Sequence, residues 1–320
     1  MNNSEKSVVT VVVVVDGRPG HEKQSLGIVQ ALATIVQVNT FVVDISKRKL
    51  SAQFKSYLDF LLSFSPTNIS FPEKADLVIG TGTRTHSTVL NIKKHFKIPA
   101  VTCMTPGRHI RKFFDICFVP EHDGCERRNN YFFTCGAPNI CVNKGQHQKD
   151  KGLILLGGID EKSHVWDSSD IEGKISQIIS QEKHVDWIIS SSPRTPQITV
   201  AAVRILADSF TNADFFHYKD TRKGWVEEQY DLCSTVWVTT DSISMLYEAL
   251  SSGCRVNVLQ MKWKRSSSKF KKNEDLLLDK KLVTPFSSWK SGSEGKPATH
   301  KLNEAQRCAD YILEKCWPQN

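Results

Sequence analysis

Residues 8–15 read VVTVVVVV, seven valines and one threonine without a polar interruption. β-branched side chains are stiff at χ1 and favour extended backbone. A strand with one wet face alternates apolar and polar residues; this one does not, so both faces must be covered. A parallel sheet flanked by helices meets that condition. Similar runs return at 41–45, 75–80, 98–103 and 115–120, with helical periodicity at 24–36, 54–64 and 85–96 between them. After a polar stretch, 143–151 (NKGQHQKDK), a second series follows at 153–156, 187–191, 214–218, 235–240 and 255–259, and a last helix at 303–315. The pattern predicts an α/β chain of two Rossmann-like domains, joined near residue 148 and facing across a cleft. A length of 320 residues suits that division.

Several classes fall away. The valine run is far shorter than the roughly 20 residues of a membrane span. It has no basic leader or cleavage site, so the chain is read as cytoplasmic. Nine cysteines without a CxxC pair argue for reduced thiols. Cys117, Cys125, Cys135 and Cys141 cluster at spacings of 8, 10 and 6, which fits buried or strand cysteines better than zinc ligands. The net charge of +8 is partly concentrated at 262–272 (KWKRSSSKFKK), where six basic residues surround Trp263 and Phe270. That segment is open to two readings, an anion- or membrane-facing surface or a mobile solvated loop. No nucleic-acid motif accompanies it, and no nucleic-acid partner is expected.

The richest local signal is TTDSISMLYEALSSG, 239–253. A strand runs into hydroxyl-rich residues, then a helical pattern, then a stop at Gly253. Thr240 or Asp241 is placed to cap the helix, leaving its N–H groups and positive dipole end facing beyond the strand, a ready phosphate site. Ser244 and Glu248, four apart, share a face and could hold a diphosphate and a ribose diol; a capped helix with a solvated glutamate is the plainer alternative. Each half opens alike, with a strand entering small residues: Asp16-Gly17-Arg18-Pro19-Gly20-His21, and Gly157-Gly158. Ligands lie beyond the carboxyl ends of strands in such sheets, and glycines let them approach the backbone. Neither loop is GxGxxG, and GxxxxGK[ST] is missing, which argues against a nicotinamide dehydrogenase or a P-loop NTPase.

Three further loops carry chemistry or merely turn the chain. His21, close to a helix start with Gln24 and Ser25, is either a neutral general base or a turn residue. Arg194, between prolines in 191–196 (SSPRTP), is either a fork for phosphate oxygens, with Thr195 beside it, or part of a structural turn. Thr83, Arg84 and His86 in 80–86 (GTGTRTH) either line a cleft or belong to a glycine turn.

Taken in order, DGRPGHEKQSLG, GTGTRTH, PEHD at 120–123, LGG at 156–158, SPRTP and VTTDSISMLYEALSSG resemble the mitochondrial-fission ELM family of bacteria and plants. Members of that family look like GT-B glycosyltransferases. The resemblance implies an acceptor-side domain at 1–148, a nucleotide-sugar donor domain at 149–302, and a helix at 303–320 returning to the first domain. It makes His21 the catalytic base and assigns the donor to Gly157, Gly158, Arg194, Thr195, Thr240, Asp241, Ser242, Ser244, Met245 and Glu248. Gly17, Gly20, Gln24, Ser25, Thr83, Arg84 and His86 fall on the acceptor side. Where the family has two arginines, Pro193 precedes a single Arg194, and Arg255 is a candidate to compensate. Without a DxD motif no metal is expected, and no cofactor beyond the donor substrate.

The expected activity is inverting sugar transfer from a nucleotide-diphosphate donor to a cell-envelope acceptor, lipid-linked or lipopolysaccharide. Residues 47–64 (KRKLSAQFKSYLDFLLSF) are read either as a peripheral contact with the inner membrane or as a helix packed on the sheet. Two other functions fit the same motifs: a non-catalytic adaptor on a transferase scaffold, and a nucleotide-sugar epimerase or hydrolase.

Overall fold

The computed structural model describes residues 8–47, 72–266, 268–290 and 302–317. The helix expected at 54–64 and the membrane-contact reading of 47–64 fall, but for Lys47, outside the described residues. The chain divides into two compact units, one made of residues 1–140 and 303–320, the other of 141–302. The boundary therefore lies before residue 148. Residues 143–147 already belong to the second unit, where Lys144 pairs with Asp231 and His147 Nε2 lies 3.1 Å from the Tyr230 carbonyl.

Unit 1 is a six-stranded, fully parallel sheet of β1 (Val9–Val15), β2 (Val38–Asp44), β3 (Leu77–Thr81), β4 (Ala100–Cys103), β5 (Ile116–Pro120) and β6 (Tyr131–Thr134), in the order β2-β1-β3-β4-β5-β6. Its helices are α1 (Pro19–Ala33), α2 (His86–Phe96) and, from the end of the chain, α8 (Glu304–Cys316). The valine run fills the middle of the sheet, covered on both faces. Val11, Val13 and Val15 pack under α1 and α8 with Ile28, Leu32, Cys308 and Ile312. Val12 and Val14 point the other way, toward Val89, Leu90 and Ile92 of α2.

Unit 2 repeats the plan with β7 (Gln148–Leu155), β9 (Asp186–Ser190), β10 (Ala213–Phe216), β11 (Cys233–Thr239), β12 (Arg255–Leu259) and the short β14 (Thr284–Pro285), in the order β10-β9-β7-β11-β12-β14. A second, two-stranded antiparallel sheet joins β8 (His164–Val165) to β13 (Lys262–Trp263). Its helices are α3 (Ser168–Gln181), α4 (Gln197–Asp208), α5 (Trp225–Leu232), α6 (Ile243–Ser251) and α7 (Lys269–Asp279). Trp187, Trp237, Ile175 and Val203 anchor the core beneath α3 and α4. Gly253, at φ +83°, stops α6 in the left-handed conformation glycine tolerates.

In both sheets the strand order reverses once. The chain leaves β1 for β2 on one side and returns to β3 on the other; it leaves β7 for β9 and β10, then returns to β11. Helices diverging from such a reversal leave a crevice at the carboxyl ends of the two central strands.

Helix α1 shows how closely unit 1 is packed. A Cβ at Gly27 would lie 2.3 Å from the Asn139 carbonyl oxygen and 3.0 Å from the Ile140 nitrogen. Glycine to alanine in a helix ordinarily stabilises by about 1 kcal/mol; here the backbone contact reverses the sign. Gly27→Ala should cost unit 1 about 1–3 kcal/mol, read as a lower urea midpoint. A midpoint at or above wild type would refute the contact.

Candidate functional site

At the reversal of unit 1, Asp16 is the first residue after β1, with its side chain fully buried. Its Oδ1 accepts the Arg18 N–H at 3.2 Å, and its Oδ2 lies 3.1 Å from His21 Nδ1. A carboxylate accepts only, so Nδ1 carries the proton, and in the neutral ring the lone pair is on Nε2. The imidazole, 18% exposed, is seated against Gly82 beyond β3. A Cβ there would sit 2.5 Å from His21 Cε1. Pro19 in the first turn presets the helix that carries His21. The arrangement is a base and its orienter, the geometry that proton abstraction requires.

The remaining acceptor-side residues separate. Thr83 is exposed and Arg84 half-buried on the loop after β3. Gly17, at φ +80°, turns the chain against Ser46, and its N–H bonds Glu22. Gly20 and Gln24 lie in the first turns of α1, joined by a bond from Gln24 Nε2 to the Gly20 carbonyl. Ser25 and His86 do not line a crevice. Ser25 is buried, its hydroxyl 2.7 Å from that of Thr81 beneath the sheet end. His86 is 4% exposed, edge-on to Phe114, and burial pulls its pKa from 6.5 down to about 4. Both residues fall on the inward face of their helices, since Ser25 shares its stripe with Ile28 and Leu32, and His86 with Leu90. That spacing was readable in the sequence.

At the reversal of unit 2, the Gly157-Gly158 loop meets the segment 239–242. The Gly157 N–H donates to Thr239 Oγ1 at 2.8 Å and the Gly158 N–H to Asp241 Oδ2 at 3.0 Å. Ser192 and Thr195 hydroxyls donate to the Gly157 carbonyl at 2.6 and 2.5 Å. Arg194 reaches Asp241 Oδ2 with Nη2 at 2.9 Å and the Gly158 carbonyl with Nη1 at 3.2 Å, its side chain remaining 43% exposed. Small residues are needed here because protein, not ligand, fills the space. A Cβ on Gly157 would lie 2.2 Å from the Asp241 carboxylate, and one on Gly158 would lie 2.0 Å from the Arg194 backbone.

The structure corrects the capping assignment. Ser242 is the N-cap residue of α6, and no side chain caps it. Thr240 Oγ1 instead accepts the Met261 N–H at 3.0 Å, while Asp241 faces Gly158 and Arg194. The first-turn N–H groups of Ile243, Ser244 and Met245 are the ones a helix leaves without an intrahelical partner. Ser244 is exposed and Met245 half-buried at that end. Glu248, one turn deeper, is 5% exposed. It lies near Tyr230, whose pKa is raised well above its ordinary value by burial first and by the Glu248 charge next. Arg255 does not compensate for the second arginine. It opens β12, at the amino end of the strands and so away from the crevice, and bonds Thr235 Oγ1.

Sequence reasoning missed the partners: Asp16 for His21, Thr239 and Ser192 for the glycine loop, and His164, which is buried with Nε2 3.1 Å from the Gly158 carbonyl. The described residues of the 262–272 segment, 262–266 and 268–272, are built into the fold. Trp263 stacks on Phe270 with centroids 6.0 Å apart and donates to Glu274, and Ser268 caps α7. Among the described residues, the four cysteines 117, 125, 135 and 141 join no cluster of metal-ligating side chains. No helix among them is long and apolar enough to cross a membrane.

Two doubly wound parallel domains, each gathering polar side chains where its strand order reverses, give the chain a GT-B-like α/β fold. The chain belongs to the mitochondrial fission ELM1 family, whose model matches residues 19–316. Solved structures share its fold at low identity. A Listeria monocytogenes protein assigned as a UDP-N-acetylglucosamine 2-epimerase is 13% identical, with a TM-score of 0.60 and 98% of each chain covered. UDP-GlcNAc 2-epimerase from Neisseria meningitidis, bound to UDP-GlcNAc, is 13% identical with a TM-score of 0.56, covering 98% of this chain and 100% of that one. S. aureus MnaA, solved with UDP, is 14% identical with a TM-score of 0.53, covering 97% and 98%. Comparison with curated proteins finds no match.

The buried His86 gives a pH signature. Its folded pKa, about 4, is below the 6.5 of the unfolded chain, so between those values the unfolded state binds more protons and stability rises with pH. Wild type should therefore lose up to about 3 kcal/mol as pH falls from 6.5 to 4. His86→Leu should flatten that limb in melts across pH. An unchanged acid limb would place His86 in solvent.

Proposed function

We propose that this protein is a glycosyltransferase in which unit 2 binds a nucleotide-diphosphate sugar and unit 1 activates the acceptor. The observation that carries the reading is the Asp16–His21 pair at the reversal of unit 1, whose Nε2 meets no hydrogen-bond partner among the described residues. In the proposed step His21 Nε2 takes the proton of an acceptor hydroxyl. The hydroxyl oxygen forms its bond to the anomeric carbon, and the bond to the diphosphate breaks with its electron pair leaving on the diphosphate, with inversion. General-base assistance of this kind supplies about 10²–10⁴-fold.

For the donor, the first-turn N–H groups of α6, which a helix leaves without intrahelical partners, would with Ser242 and Ser244 receive phosphate oxygens, and the exposed part of Arg194 would face the leaving charge. Gly157 and Gly158 shape this wall, with Thr195 holding the loop. Glu248 would accept from a ribose diol. UDP and UDP-N-acetylglucosamine are the first ligands to try, being those held by the fold's solved relatives. The acceptor is proposed to be a cell-envelope molecule, lipid-linked or lipopolysaccharide, met at the inner-membrane surface. No metal or cofactor is needed in this scheme.

One observation favours a second reading, a non-catalytic adaptor. The N–H groups of both Gly157 and Gly158 are already taken by Thr239 and Asp241, which removes two donors that a diphosphate would use.

Thermal shift against a panel of nucleotide sugars separates the two. A transferase should be stabilised by about 2.7 kcal/mol at 100 times Kd, an effect Glu248→Ala should abolish; an adaptor should respond to none of them. With a turned-over donor in hand, His21→Ala and Asp16→Asn should each slow turnover by about 10²–10⁴-fold while leaving nucleotide-induced stabilisation intact. Full activity in His21→Ala would remove it as the base.

A further inference from the structure

The amino edge of the unit 1 sheet, the end opposite His21, carries a cavity of about 380 Å³ lined by Arg111, Lys112, Arg127, Arg128, Asn129 and Asn130. Its walls are two loops, the turn that precedes β5 and the segment that enters β6. They are stapled together by the Asn130 side-chain amide, which donates to the Arg111 carbonyl at 2.9 Å and the Phe114 carbonyl at 3.0 Å. The staple fixes the two walls of an open groove, in which Lys112, Arg127, Arg128 and Asn129 are exposed, and its volume falls within the roughly 300–1,000 Å³ of small-molecule sites.

Its charge is one-sided. Four cations converge on it, and no carboxylate lines it. Among the described residues, Arg111, Lys112 and Arg127 have no carboxylate partner. Arg128 meets Glu126 at 3.8 Å, but that glutamate is 91% exposed. Such convergence of like charge opposes folding and is relieved by an anion. Three guanidinium forks and the Lys112 ammonium supply donors alone, the set that suits a multiply charged oxyanion. Asp16, His21 and the donor residues are not part of it.

The geometry points to a second anion site in unit 1: the cavity between 111–114 and 127–130 binds a phosphate-bearing ligand, independently of the proposed transfer site. Phosphate could come from a soluble molecule or a lipid headgroup; the chemistry of recognition is the same.

The test follows the backbone amides of Asn129 and Asn130 by NMR in the full chain as inorganic pyrophosphate is added. A second titration uses vesicles of phosphatidylcholine containing anionic phosphatidylserine. In wild type the two amides should shift and saturate. In Arg127→Ala/Arg128→Ala the apparent affinity should fall by about tenfold or more, in a spectrum that is otherwise folded. Lys149→Ala/Lys183→Ala, which removes two exposed cations elsewhere, should behave as wild type. Pyrophosphate shifts without vesicle binding identify a soluble phosphate; vesicle binding displaced by pyrophosphate identifies a headgroup. Either supports the site. No shift with both probes, or equal weakening in the control variant, overturns it. Neither result touches the nucleotide response assigned to unit 2.

Discussion

A buried carboxylate stands at the strand-order reversal of each sheet, and the organisation of both candidate sites depends on it. Asp16 and Asp241 are 2% and 3% exposed. A charge so placed is costly unless neighbours satisfy it. Asp16 is satisfied by the Arg18 N–H and the His21 ring, Asp241 by the Gly158 N–H and the Arg194 guanidinium. The carboxylate thereby fixes the group beside it. In unit 1 it fixes a proton acceptor; in unit 2, a cation.

The two carboxylates differ in what they leave over. Asp16 uses both oxygens and presents an imidazole nitrogen outward. Asp241 keeps Oδ1 buried without a hydrogen-bond partner among the described residues, a position that an ordered water or a modest rearrangement would satisfy. It also draws the glycine loop inward, so the donors remaining at that end come from α6 and Arg194. Removing either aspartate would be expected to do more than delete a charge: His21 would lose its tautomer, and Gly158 and Arg194 would lose their common acceptor.

Much of the architecture was legible because buried parallel strands announce themselves. The valine run and the runs at 98–103, 115–120 and 255–259 became strands within a residue or two. β6 was not recognised. Its four residues, YFFT, lie between turn residues and cysteines, and a single short strand carries no period. A helix start close to Thr240 and Asp241 and the stop at Gly253 were readable from local chemistry, whereas the cap at Ser242 and the role of Asp241 were not. Its partners Gly158 and Arg194 lie 83 and 47 positions away, and no local rule connects them. His86 was misplaced for another reason. Its loop composition suggested a crevice, but the first residue of α2 points into the core.

The central claim is that the Asp16 carboxylate holds His21 as the Nδ1–H tautomer with Nε2 available to a substrate. Nitrogen-15 NMR of the labelled imidazole reads this directly. At neutral to alkaline pH the account predicts ring shifts and long-range couplings of a protonated Nδ1 and a bare Nε2, lost in Asp16→Asn. A His21 ring protonated at Nε2 in wild type, indifferent to Asp16, would contradict it.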